Sequence, residues 1–314
     1  MRLLVASSLL FFMVMAPLDS RAYETDQFTK RLKPINDSMP LLDAKVNDTI
    51  QEITLDWTGS RDDGKFVQAV FHKIGGRHWV DKIESWAMES PDVDRLQPSR
   101  RDSIYQGHPI WATRVAAIFG VGPTIRVNNV LIGSDKLGHF LSQGRKFYRR
   151  YLRMQDEKQA AGQSAFTERA LFGQMTTGVY SNADLVANYE GYLFYRSLFE
   201  DNIIPGKPAI LSWKDDHWIT QRPFTWADHV NAYWDEALNI NHFDSLLYPH
   251  MKARLQSFCP DYLTAPDQYV IEDEKELLNR YAHLQLRNTS DLRLDHLCAE
   301  IPGQDFTGVV GQPQ

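Results

Sequence analysis

Cysteine, long apolar runs and an excess of basic charge are all scarce in this 314-residue chain, and each shortage closes off a class of protein. There are two cysteines, Cys259 and Cys298, with no CxxC and no paired Cys/His spacing, so a structural zinc site has no support. Beyond residue 22 the longest apolar stretch, Val115 to Val121, is interrupted by Gly120 and is far too short to cross a bilayer. The formal net charge of −6 argues against a general nucleic-acid binder. The chain also has no Gly-rich phosphate loop, no nucleophile-elbow serine, no catalytic-cysteine pattern, no internal repeat and no low-complexity block.

What is present begins at the N-terminus. Arg2, the short apolar run Leu3 to Met15 and the small-x-small triplet Ser20-Arg21-Ala22 read as a cleavable secretory signal over residues 1–22, with the mature protein starting near Tyr23. Cleavage removes two of the 34 basic and one of the 40 acidic residues, so 32 minus 39 leaves −7. Export sets an oxidising compartment, in which Cys259 and Cys298 are expected to pair. Closing a loop of about 40 residues would constrain the unfolded chain by roughly 3–4 kcal/mol.

Periodicity predicts a mostly α protein, an irregular helical bundle with any sheet small, over residues 23–300, with a loose tail at 301–314. Tyr23 to about Lys45 reads as an irregular arm, and Phe66 to Ala87 as a helical hairpin stopped by Pro91. Asp92 to Gly107 reads as a surface loop, and Thr124 to Ile132 as a short extended approach. Three helices follow in the motif core, about 130–200: one from an N-cap at Ser134 to about Met154, one from an N-cap at Ser164 through Glu168, and one from an N-cap at Ser181 to about Phe199. Further helices are expected over Thr225 to Ala237, Ser245 to Phe258 and Asp273 to Leu286.

The third core helix carries the chemistry. Ser181, Asp184, Asn188, Gly191 and Tyr195 recur at three- and four-residue spacing, a polar or small stripe on an otherwise apolar helix. A carboxylate and an amide buried there without partners would be costly, so another helix must supply complementary groups. Asp135 and His139, at i and i+4 on the first core helix, are the candidates, and Gly138 and Gly144 leave room for close approach. Glu168 offers a further carboxylate.

The run Gly133-Ser134-Asp135-Lys136-Leu137-Gly138-His139-Phe140, then Glu168, then Ser181-x-x-Asp184-x-x-x-Asn188-x-x-Gly191, resembles the pattern of VanZ-like and YfiM-like bacterial envelope proteins. It covers about residues 130–195 only, and VanZ-like proteins are membrane-embedded, which this chain is not expected to be. The resemblance implies an envelope role and a shared polar site rather than a particular reaction.

Three uses of the constellation stay open. It is a hydrogen-bond network that fixes helix register, or a hydrolytic or transfer site with His139 as base oriented by Asp135 and with Asp184 and Asn188 positioning substrate. In the third, Asp135, His139, Asp184 and Glu168 bind a divalent metal ion. Lys136 reads as a surface lysine. Asp215, Asp216 and His217, with Asp228 and His229, read as solvated loop and helix face, and the tryptophans at 213, 218, 226 and 234 as core more than as a sugar or lipid groove. The functional expectation is an envelope hydrolase or transferase acting on a cell-wall or lipid-linked substrate. Its alternative is a non-catalytic periplasmic binding or scaffold protein.

Overall fold

A computed structural model describes residues 24–76, 80–108, 120–167 and 178–299. The expected signal (residues 1–22), the tail at 301–314 and Glu168 lie outside these. Among the described residues helices dominate, and the strands form three two-stranded antiparallel pairs, in keeping with the mostly α fold with small sheet that the sequence pattern implies. No helix among the described residues is long and apolar enough to cross a membrane.

The first helix, α1 (Met39–Leu55), starts inside what the sequence presents as an irregular arm. Pro40 suits the first turn, Asp37 accepts a hydrogen bond from Met39 N, and Leu42, Val46, Ile50 and Ile53 form a buried stripe at helical spacing. The preceding segment is irregular but not loose: Thr25, Asp26, Gln27 and Phe28 are buried. Helices α2 (Asp63–Ile74) and α3 (Lys82–Glu89) form the expected hairpin, with Asp62 capping α2 through Lys65 N. Residues 92–107 form no helix or strand, as expected, yet Val93, Leu96, Ile104 and Tyr105 are buried, so the segment is not merely surface.

Strands β1 (Thr124–Val127) and β2 (Val130–Gly133) form a hairpin whose turn residues, Asn128 and Asn129, both have positive φ, 52° and 64°. Asparagine tolerates that conformation, and such turns match the twist of paired strands. The chain then enters a helix in three parts: α4 (Asp135–Gly138), a π-helical turn (His139–Gln143) and α5 (Gly144–Met154). Gly144 N donates to His139 O, the i to i−5 bond that defines the π turn. Ser134 stands at the N-cap position but its hydroxyl makes no cap and is buried without a partner. Helix α6 (Glu157–Thr167) begins seven residues before Ser164, at a first turn held by Asp156, so the expected N-cap at Ser164 lies inside a helix.

Helix α7 (Asn182–Ser197) is capped by Ser181, whose hydroxyl accepts from Asp184 N, and is buried around almost its whole circumference. Its glycine sets the helix crossing: a Cβ at Gly191 would lie 1.8 Å from Phe140 O, and one at Gly144 would lie 2.6 Å from Gly191 Cα. Phe147 stacks on Tyr192 with ring centroids 4.7 Å apart, and Phe140 on Phe194 at 5.3 Å.

After α7 come a second hairpin, β4 (Leu211–Lys214) with β5 (His217–Thr220), and then two short 3₁₀ turns, Trp226–Asp228 and Ala232–Trp234. These replace the single amphipathic helix that the apolar spacing over Thr225 to Ala237 suggests. Side chains of Thr225 and Asn231 accept from backbone two residues on, and such local bonds compete with continuous helix. Strands β3 (Val179–Tyr180) and β6 (His242–Phe243) pair across this region. Helices α8 (Tyr248–Gln256), α9 (Cys259–Thr264), α10 (Glu274–Tyr281) and α11 (Leu294–Ala299) are the last among the described residues, and the Cys259–Cys298 disulfide joins α9 to α11. Trp218, Trp226 and Trp234 are core, while Trp213 is half-buried beside Trp218.

Candidate functional site

The polar stripe of α7 meets the helix that begins at Asp135. Tyr195 donates to Leu141 O at 3.0 Å, and Gly191 lies under the π turn. Asn188 Oδ1 accepts from His139 Nδ1 at 3.0 Å, and Asp184 Oδ2 lies 3.2 Å from His139 Nε2. His139, Asp184 and Asn188 are thus brought together, and Asp135 joins them: one ligand atom each of Asp135, His139 and Asp184 lie within 4.8 Å of one another. The orienting group of the imidazole is Asn188, however, because the Asp135 carboxylate is engaged by Lys136 and Thr25.

The lysine is the largest departure from the sequence reading. Lys136 is 1 % exposed, not a surface residue. Its Nζ lies 2.7 Å from Asp135 Oδ2, to which it donates a hydrogen bond, 2.6 Å from Asp184 Oδ1 and 2.7 Å from Glu236 Oε1. Burial opposes the charge, but Asp135, Asp184 and Glu236 outweigh it and hold the ammonium well above its ordinary range. Asp184 is pulled the other way. Burial raises its pKa, yet His139 and Lys136 together bring it below the usual carboxylate value.

Sequence reasoning missed four further acids. Glu236 sits just after the second 3₁₀ turn and accepts from Ser181 Oγ at 3.0 Å, so one serine hydroxyl both caps α7 and holds this carboxylate. Its loop is tied to the N-terminal arm by the buried Arg31–Asp235 pair at 2.7 Å. Glu24 comes from that arm: burial, then Glu236 and Asp184, push its pKa up to about 8. On the α3 side, burial and the neighbouring Asp135 and Asp81 push Glu84 well up. Asp81 rises to about 6, burial outweighing the two bonds it accepts from Ser142 Oγ. Gly138 makes room for this acid pair, since a Cβ there would stand 2.6 Å from Glu84 Oε2.

One signal could have pointed to part of this set. Lys136 lies four residues before Phe140, on the face that must be buried if Phe140 is core. The arm residues Glu24 and Thr25 and the loop residue Glu236 have no periodic signature at all.

The cluster is not sealed. His139 and Asp135 are 20 % and 15 % exposed at the side chain, so its outer edge lies at the imidazole. There the donor inventory is informative. Asn188 Oδ1 can only accept, so His139 Nδ1 carries a proton, and an unprotonated Nε2 would present its lone pair to the Asp184 carboxylate. Two acceptors 3.2 Å apart make a seat for a cation, either a proton that Nε2 takes up or a metal ion. Deeper in, Glu24 keeps its proton to about pH 8 while Asp184 gives its own up early, and carboxyls split in this way suit acid and base roles.

The secondary acidic set behaves differently. Asp215 and Asp216 form the exposed β4–β5 turn, with His217 beside them, as expected. His229 is not solvated: it is buried, 3.1 Å from Glu190, whose other oxygen accepts from Tyr281 and Arg280. Asp228 pairs with Lys207 and Arg222. No family model, curated protein or solved structure matches the chain.

Proposed function

We propose that this chain is an exported envelope protein that acts as a hydrolase or transferase on a cell-wall or lipid-linked substrate at the His139 edge of the cluster. His139 Nε2 takes the proton of an attacking water or hydroxyl, Asn188 holds the ring, and Asp184 stabilises the imidazolium that forms. The observation that carries this reading is the fixed tautomer: Nδ1 is committed to Asn188, and Nε2 faces Asp184 at a partly open edge. A divalent metal ion held by Asp135, His139 and Asp184 is the other occupant that the same donor set fits. The export signature and the resemblance to VanZ-like and YfiM-like proteins over about residues 130–195 support the envelope setting.

The test is complementation of a deletion strain with His139→Ala and Asp184→Asn, alongside thermal melts and calorimetric titration with Mn²⁺ and Zn²⁺. Lost complementation in folded variants is expected. Full complementation by both would end the catalytic reading. A non-catalytic scaffold has its own supporting observation, since the buried Lys136 ammonium lies among three carboxyl groups of the chain itself. That reading expects the variants to lose melting temperature and function together.

A further inference from the structure

Asp135 and Asp184 each serve two sets of neighbours. Inside the molecule they close, together with Glu236, on the ammonium of Lys136, at 2.7 Å from Asp135, 2.6 Å from Asp184 and 2.7 Å from Glu236. At the outer edge the same two acids stand with the His139 imidazole, one acceptor atom of each lying within 4.8 Å of the others. Asp184 divides its oxygens between the two sets, Oδ1 toward Lys136 and Oδ2 toward His139 Nε2 at 3.2 Å. A carboxylate has about four lone-pair directions, so one that holds an ammonium on one side still accepts on the other. The sets differ in one member, Glu236 within and His139 without, and in access: Lys136 is buried, whereas the His139 side chain reaches the surface.

Charge selects what the outer set can hold. Asp81, which faces His139, and Glu84, which faces Asp135, stand on the α3 side, and Asp184 stands on the α7 side. The cations on these elements are Lys136, shared by three carboxyl groups, and Lys146, which faces Asp81. A phosphate or carboxylate brought to His139 would meet acids on both sides, whereas a cation would be drawn in. Between cations, valence decides. An ion on Asp184 Oδ2 would face the Lys136 ammonium across a single carboxylate, and a dication is repelled there twice as strongly as a monovalent group. An alkylammonium is monovalent and brings its own protons to the acceptors.

We infer that the His139 edge receives the ammonium group of a primary-amine substrate, held on Asp135 and Asp184 beside the imidazole. The inference rests on the reading of this edge as the substrate site and names the chemical class that it recognises. Lys136 shows the same two carboxylates already closing on an ammonium from within, at charge-assisted hydrogen-bond distances. With its donors on the two acids, the bound ammonium leaves Nε2 to the proton that it takes in that reading.

The test is isothermal titration of the chain as it is processed in the cell, in phosphate buffer, with Nα-acetyl-lysine methylamide and with glycerophosphoethanolamine. Binding of at least one of the two is expected, and none of Nα-acetyl-norleucine methylamide, which lacks the ammonium, or of glutarate. Asp184→Asn should weaken it roughly tenfold, with Asp215→Asn/Asp216→Asn, at the exposed β4–β5 turn, binding like the parent. Melting curves check folding, and Asp135→Asn serves if Asp184→Asn does not fold. Preference for the lysine analogue would name a peptide amine, and preference for the ethanolamine a lipid headgroup; either supports the inference. No binding of either amine to the folded parent, equal binding of the norleucine analogue, or undiminished binding by the folded variants would overturn it. So would displacement of both amines by equimolar Mn²⁺, which would give the edge to a metal ion. Lost complementation by His139→Ala without amine binding would sink this inference and leave the catalytic reading standing, whereas amine binding with full complementation would do the reverse.

Discussion

Replacing Lys136 with methionine keeps the length of the side chain and removes the charge that Asp135, Asp184 and Glu236 all face. Taking one partner from a buried ionic cluster typically costs about 3–5 kcal/mol, because the groups left behind stay desolvated and unpaired. For a chain of this length that corresponds to a fall in melting temperature of roughly 6–12 °C. The loss should depend on pH in a definite sense. Without the ammonium, the clustered carboxylates bind protons more tightly folded than unfolded, so the variant is best off in acid and loses stability as pH rises. Calorimetric melts at pH 5 and pH 8 would read this, with the deficit larger at pH 8. Adding Glu236→Gln to Lys136→Met should return part of it, a coupling on the order of 1–3 kcal/mol. A variant melting within about 2 °C of the parent at both pH values would refute the picture of a charged lysine buried among three carboxyl groups.

Two more outcomes follow from the same geometry. Glu24 keeps its proton in the folded protein up to about pH 8, well above the ordinary value of 4.5, so its contribution to stability is complete below about 4.5 and lost as pH climbs through 8. Glu24→Gln, permanently neutral, should therefore flatten the decline in urea-unfolding free energy between pH 5 and 9 and exceed the parent at pH 9 by up to roughly 5 kcal/mol, each pKa unit being worth about 1.4; an unchanged slope would remove Glu24 from the cluster. At Gly191 even one methyl group collides with the Phe140 carbonyl at 1.8 Å, so Gly191→Ala should force the two helices apart and lower the melting temperature by several degrees. A neutral effect in the melt would show that the helices cross less closely than described.

The legible part of the fold was the part written in period. The α2–α3 hairpin, α7 with its Ser181 cap, and the charged helix α10 follow from apolar spacing and local capping, which act over a few residues. So does the meeting of Asp184 and Asn188 with the helix of His139, since a polar stripe on a greasy helix must find partners. What was hidden was set by distant chain. Lys136 looks like a surface residue until three acids converge on it, and two of those come from residues 48 and 100 positions further along. Glu24 and Thr25 sit in an arm without regular structure, and Glu236 follows a 3₁₀ turn, so neither has a repeating pattern to betray burial. The Thr225–Ala237 segment misled for the opposite reason: its apolar spacing is helical, but side-chain bonds from Thr225 and Asn231 break the helix into two turns.

The single π turn at His139–Gln143 works as a phase adjuster. By inserting one residue relative to a continuous α-helix, it offsets everything downstream by about 100°, so that Lys136 before the turn and Phe147 and Tyr148 after it all look inward. Dropping any one residue from those five would let the helix run true, and the two ends of the rod could then no longer both be correctly aimed.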